Sequence, residues 1–275
     1  MKYLGKFFHP RKKVTFYGLY DFDENVVFPI ESIFYPNITG EPFNFNQLHP
    51  VLCVKPSKIV GIGKNYKGHI QEFQSEVPEE PIIFLKSTDS IIGPNDKIIL
   101  PMNVGQIDYE GEIALVVGKK AEKVSEAKAL NYILGYACAN DITARELQKK
   151  DGQWARAKSF KSFCPFGPWI LPVSEYPKYN NLTLKTYVND KPVQQVKSSS
   201  MIFNIPYLVS FISQAMTLYP GDIILTGTPY GVGPLKRNYK VQIEIEEIGT
   251  LTNRVVGETS TKSSNSSDEE LSTVS

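Results

Sequence analysis

The chain has 275 residues, 41% of them hydrophobic, 21% charged and 12% aromatic, with a formal net charge of +1. This is a globular composition, sized for one large domain or a small one beside a larger, and so balanced a charge gives no electrostatic reason to expect nucleic acid or an anionic membrane as partner. No apolar run reaches the roughly 18 residues that cross a bilayer, residues 1–13 lack the apolar core of a signal peptide, and three cysteines, Cys53, Cys138 and Cys164, fit buried thiols in a reducing compartment better than a disulfide framework; the expectation is a soluble cytoplasmic protein.

Residues 1–53 read as a small β-rich module appended to the rest. Residues 14–20 form a strand candidate, residues 21–25 a turn, and residues 26–30 a second strand. Pro29, Pro36, Pro42 and Pro50 punctuate a segment without long helical periodicity. Residues 58–63 are a short apolar strand ending in Gly61-Ile62-Gly63. A dinucleotide loop is rejected there, because the third glycine of G-x-G-x-x-G would fall on Tyr66. Residues 66–73 follow as a short helix in which His69 and Glu72, three apart, share one face. A carboxylate beside an imidazole fixes its tautomer and raises its basicity, although a solvated His–Glu pair on a surface helix has the same spacing.

After a strand at 81–86 and a loop at 87–94 comes Asp108-Tyr109-Glu110-Gly111-Glu112-Ile113-Ala114-Leu115-Val116-Val117, which reads as one strand. Alternation puts Glu110 and Glu112 on one face with Ala114 and Val116, while the other face is apolar as well. A strand apolar on both faces is covered on both sides. Two carboxylates side by side there repel, and burying them unpaired is costly. A divalent cation between them is the simplest remedy, since paired carboxylates are hard-oxygen ligands. Glu244 and Glu246 provide a contrast within the chain: they alternate cleanly with Val241, Ile243 and Ile245 in an ordinary half-exposed strand. Spacing alone therefore leaves Glu110 and Glu112 open as metal ligands or as a charged strand end.

Residues 121–129 are helical by composition, and residues 132–139 form an apolar strand ending at Asn140-Asp141. A helix is expected from Thr143, which with Glu146 spells a capping box. Thr143 would then cap the helix and free Asp141 to act as a third carboxylate. Aromatics, Pro and Gly stiffen residues 154–168, where Lys158 is either a fixed cation or a solvated one. A strand at 182–188, a turn at Asn189-Asp190, an apolar helix at 205–218 and a strand at 222–226 lead into Thr226-Gly227-Thr228-Pro229-Tyr230-Gly231-Val232-Gly233. That loop offers backbone N–H groups and two hydroxyls, suited to an anionic oxygen. Residues 258–275 are rich in Ser, Thr, Asp and Glu and are expected to be disordered.

Taken in order, five segments resemble the fumarylacetoacetate hydrolase superfamily: Asn65-Tyr66-x-x-His69-x-x-Glu72, Asp108-Tyr109-Glu110-x-Glu112, Asn140-Asp141-x-Thr143-Ala144-Arg145-x-x-Gln148, Lys158-Ser159-Phe160 with Cys164-Pro165, and the Thr226–Gly233 loop. The resemblance covers residues 54–257. It implies an α+β, mostly β fold, a mixed β-roll with peripheral helices that many members extend with a short N-terminal β module, and a homodimer. It implies that Glu110, Glu112 and Asp141 hold Mg²⁺, with Mn²⁺ or Ca²⁺ as alternatives. It assigns His69 and Glu72 to a water-activating dyad on a lid, Lys158 to catalysis and substrate binding, and Tyr66, Arg145, Gln148 and Thr228 to substrate contacts. One position departs from the pattern: Lys161 stands where many members have Asp.

A hard-oxygen triad without His or Cys favours Mg²⁺, Mn²⁺ or Ca²⁺ over zinc. Such a centre chelates a small 2-oxo acid and stabilises enolate character. The expected reaction is hydrolysis of a C–C bond in an acylpyruvate-like 2,4-dioxo acid. The alternatives are an isomerase of the 2-hydroxyhepta-2,4-diene-1,7-dioate type, an oxaloacetate decarboxylase type, and a binding protein that keeps the fold without catalysis. The full set of triad, His69, Glu72 and Lys158 speaks against the last.

Overall fold

The computed structural model describes residues 1–72 and 74–258. Phe73 and residues 259–275, and with them nearly all of the tail expected to be disordered, lie outside the described residues. The described residues form three sheets with short helices at the periphery, the mostly β, mixed-sheet architecture expected. None of their helices is long and apolar enough to cross a membrane.

The Gly111–Val117 strand lies inside the longest sheet, hydrogen-bonded antiparallel to Ile133–Asn140 on one side and Ile223–Leu225 on the other. All seven of its residues are buried. Ile113, Leu115 and Val117 point into the larger core, which the five-stranded sheet covers with Leu184, Ile243, Ile245 and Leu251. Ala114 and Val116 point into a second core with Ala137, Ala139, Phe166 and Leu225. Burial on both faces is what a continuous apolar run demands.

Residues at the amino-terminal end join this same sheet. Lys2–His9, which the sequence reading did not single out, pairs with Val14–Asp21 from Lys2↔Asp21 to His9↔Val14, and Leu4 pairs with Ile170 of Cys164–Pro172. The join is reinforced by aromatic packing: Tyr20 stacks on Phe45 at 4.3 Å and lies 5.1 Å from Trp169.

A three-stranded sheet does most to build the site. Ile107–Tyr109 pairs with Thr143–Ala144 through Asp108↔Thr143 and with Gly233–Pro234 through Asp108↔Pro234. Three motifs far apart in sequence thus meet at Asp108. The expected single strand at 108–117 is accordingly two strands broken at Glu110, whose N–H is taken by the Asn140 side chain at 2.9 Å rather than by a ladder partner.

Other expectations are corrected by tertiary pairing. The capping box does not form: Thr143 is extended, the helix runs over Arg145–Asp151, and its N-cap residue Ala144 makes no side-chain cap. The Thr143 hydroxyl instead donates to the Asp141 carbonyl at 2.9 Å and accepts from Lys158 at 2.8 Å. Residues 121–129 are not one helix. Ala121 bridges to Leu218, Lys123 is left-handed at φ 49°, and a 3₁₀ helix begins only at Glu126. That same bridge ends the 205–218 helix early, at Ala215. The alternation of Lys240–Ile245 and the turn at Asn189-Asp190, with φ of 49° and 65°, are as expected.

Candidate active site

Three carboxylates converge where the long sheet meets the small one. Glu110, Glu112 and Asp141 are buried, and ligand oxygens from all three lie within 4.8 Å of one another. Glu110 stands at the strand break, Glu112 one residue inside the strand, and Asp141 at the end of the neighbouring strand. The Asp141 N–H donates to the Glu110 carbonyl at 2.8 Å, which fixes the two chain segments together.

Buried cations surround this cluster. Lys158 Nζ donates to Asp141 Oδ2 at 2.5 Å, Glu110 Oε2 at 3.0 Å and Thr143 Oγ1 at 2.8 Å, and lies 4.8 Å from the Phe84 ring centroid. It is a fixed cation, not a solvated one. Arg145 reaches Glu110 Oε1 at 2.6 Å and Asp108 Oδ2 at 2.7 Å, and donates to Gln148 Oε1 at 3.0 Å. Lys86, which the sequence reading passed over, is buried and donates to Asp141 Oδ1 at 2.6 Å and to the Phe163 carbonyl at 3.0 Å.

The three carboxylates are not equivalent. Burial by itself would raise the Glu110 carboxyl, but Lys158 and Arg145, helped by His69, hold it well below the usual carboxylate range. Glu112 goes the other way: burial, then the charges of Asp141 and Glu110, push its carboxyl well above the usual range. Among the described residues Glu112 makes no ion pair; it accepts the Gly227 N–H at 2.7 Å. Beside it the Tyr66 hydroxyl is buried with no hydrogen-bond partner among the described residues. A set of hard oxygens, crowded and short of one positive charge at Glu112, is chemically suited to a divalent cation.

His69 and Glu72 lie on the Lys67–Glu72 helix, His69 Nδ1 facing Glu72 Oε2 at 3.5 Å. Glu72 also accepts the Gly231 N–H at 3.1 Å, tying this helix to the Thr226–Gly233 loop. The His69 side chain is largely covered, at 13% exposed, while Glu72 stays in contact with solvent at 32%. Burial lowers the His69 imidazole below its ordinary value, against the opposing pull of Glu110; Arg145 adds to the lowering. The lowering favours the neutral imidazole near neutral pH.

One cleft of about 910 Å³ gathers these groups. Glu110, Glu112, Asp141, His69, Glu72 and Lys158 line it, as do Arg145, Gln148 and Thr228. Tyr66 is the exception, buried and outside the cleft lining. Phe84 and Trp154, in edge contact at 5.4 Å, form an aromatic wall. The wall explains Gly61 and Gly63: a Cβ on Gly61 would lie 2.1 Å from the Phe84 ring, and one on Gly63 2.4 Å from Trp154. The three cysteines are buried, each thiol pushed up to about 12 by burial, and supply no nucleophile.

Comparison with known proteins identifies the family. The model of the fumarylacetoacetate (FAA) hydrolase C-terminal domain matches residues 58–256. An uncharacterized protein of Archaeoglobus fulgidus is 51% identical over 203 residues, covering 74% of this chain and 80% of that protein. The mitochondrial oxaloacetate tautomerase Fahd2a of Rattus norvegicus is 41% identical over 210 residues, covering 74% of this chain and 67% of that protein. Among solved structures, 5-carboxymethyl-2-hydroxymuconate delta-isomerase from Mycobacterium smegmatis superimposes with a TM-score of 0.84 at 40% identity, covering 94% of this chain and all of that one. The chain belongs to the fumarylacetoacetate hydrolase family and is an enzyme of it.

Proposed function

We propose that this enzyme moves a proton between carbon and oxygen of a 2-oxo acid, an isomerase or tautomerase reaction that passes through the enol. The observation that carries this reading is His69, a largely covered imidazole held below its ordinary value, facing Glu72 and lining the same cleft as the carboxylate triad. Relatives at 40% and 41% identity named as an isomerase and an oxaloacetate tautomerase support it.

Glu110, Glu112 and Asp141 would hold Mg²⁺ or a similar hard dication. Bound there, such an ion supplies the Lewis acidity that favours the enol form of a 2-oxo acid. Four buried carboxylates, Asp108 included, face the cations Lys86, Lys158 and Arg145. A dication would tip this balance to positive and attract an anionic substrate. Arg145 and Gln148 line the cleft beside Glu110 and would orient the substrate's polar end. Glu72 near Nδ1 favours the tautomer protonated there, which would leave the lone pair on Nε2 to take the substrate proton.

Hydrolysis of an acylpyruvate C–C bond is the second reading, and the same dyad favours it, since a carboxylate-backed imidazole also activates water. Product analysis by NMR separates the two. Acylpyruvates, oxaloacetate and 2-hydroxy-dienedioates are each incubated with enzyme and Mg²⁺. Keto–enol or double-bond isomers are expected from the last two. Pyruvate released from acylpyruvates, with no isomerisation elsewhere, would replace the first reading by the second.

A further inference from the structure

Gly111, between the two glutamates of the triad, is held by a closed ring of hydrogen bonds. Gln194, buried on the Lys191–Lys197 strand of the five-stranded sheet, accepts the Gly111 N–H on Oε1 at 3.1 Å. Its Nε2 donates to Thr228 Oγ1 at 3.0 Å and to the Pro229 carbonyl at 3.0 Å. Thr228 Oγ1 completes the ring by donating to the Gly111 carbonyl at 2.9 Å.

Donor and acceptor chemistry leaves one arrangement of protons. The Gly111 N–H can only donate and the Pro229 carbonyl can only accept, so the Gln194 amide cannot be turned over. Its NH₂ has no lone pair to offer, so Thr228 Oγ1 accepts there. The hydroxyl's one proton then goes to the Gly111 carbonyl, which can only accept. The Thr228 hydroxyl thereby bridges the Gln194 amide and the Gly111 carbonyl. Gly111 itself leaves no slack: a Cβ there would sit 2.1 Å from Thr186 Oγ1 and 3.1 Å from Gln194 Oε1.

We propose that Gln194 and Thr228 are positioning residues, which clamp the Gly111 peptide so that Glu110 and Glu112 stay at the setting the dication requires. The proposal rests on the reading of Glu110 and Glu112 as ligands. It extends to a third sheet the rule that residues behind metal ligands govern their orientation.

The test is Mg²⁺ titration by calorimetry on wild type, Gln194→Leu, Gln194→Glu, Thr228→Val, Thr228→Ser and the double variant Gln194→Leu/Thr228→Val. Gln194→Leu and Thr228→Val are each expected to weaken Mg²⁺ binding by about tenfold or more, the usual effect of losing such a partner. The double variant should be no weaker than either single one, because both break the same ring. Thr228→Ser, which keeps the hydroxyl, should bind as wild type does. Gln194→Glu preserves the volume but sets acceptors against Thr228 and Pro229, so it should weaken binding even if Gln194→Leu does not fold. Wild-type affinity in Thr228→Val and Gln194→Glu, or losses that simply add in the double variant, would overturn the proposal alone. No Mg²⁺ binding by the wild type would overturn the ligand reading and this proposal with it.

Discussion

His69 is the residue on which the proposed chemistry turns. Its partner Glu72 and its place on a short helix could be read from the sequence by their spacing; its partial burial could not, because the Thr226–Gly233 loop to which Glu72 is tied lies far along the chain. His69→Ala is expected to lower turnover by about 10²–10⁴-fold, the usual share of a general base, with the measurement made at saturating Mg²⁺. The pH dependence has a definite sign. Burial lowers the imidazole below its ordinary value, so the base stays neutral further into the acid range than a free histidine does. The acidic limb of kcat/KM should accordingly fall below the ordinary histidine value of about 6.5, and an inflection above that value would contradict the assignment. The same shift makes His69 a liability in acid: the unfolded chain takes up its proton first, so stability is lost as pH falls from the unfolded pKa toward the folded one. Lys86 was not legible at all. Its partner Asp141 lies 55 residues away, and nothing local in residues 81–86 distinguishes a buried lysine from one at a strand end.

At the scale of elements, Asp222 shows how one carboxylate holds several segments in register. It accepts from Ser57 N at 2.9 Å, Ser57 Oγ at 2.7 Å, Lys58 N at 3.0 Å and Tyr219 N at 2.8 Å, and pairs with Lys58 Nζ. This anchors the parallel pairing of Ile223–Leu225 with Ile59–Gly63, which lies beside the triad strand. Burial would raise the Asp222 carboxyl, but the hydrogen bonds from Lys58, Tyr219 and Ser57 hold it below the usual range. Asp222→Asn should cost on the order of 2–3 kcal/mol, the loss of one or two hydrogen bonds to a charged acceptor, measured by denaturant unfolding near neutral pH. Because the folded pKa is depressed, the wild-type advantage is complete above the usual aspartate range and fades as pH falls through the folded value; an equal gap between wild type and variant down to the lowest pH would contradict this. Elements were read well where local pattern decides, as at Lys240–Ile245. They were misread where tertiary pairing overrides it, as at Thr143 and Ala121.

Across the whole molecule, the site exists because the three-stranded sheet draws the Asp108, Thr143 and Gly233 segments together against the open end of the triad strand. The order of the motifs could be read from the sequence, and with it the family. Their convergence could not, since it depends on pairings between strands up to 126 residues apart. The central claim is that this convergence makes a dication-assisted centre for enol chemistry with His69 as its base. The most direct test is deuterium uptake from D₂O at the carbon beside the keto group of oxaloacetate, followed by ¹H NMR with Mg²⁺ for wild type, His69→Ala and Glu112→Ala, each against an Mg²⁺-only blank. Wild type is expected to exchange well above the blank, with chelation or either substitution returning the rate close to it. Exchange by Glu112→Ala and His69→Ala as fast as by wild type, or none above the blank by wild type itself, would contradict the account.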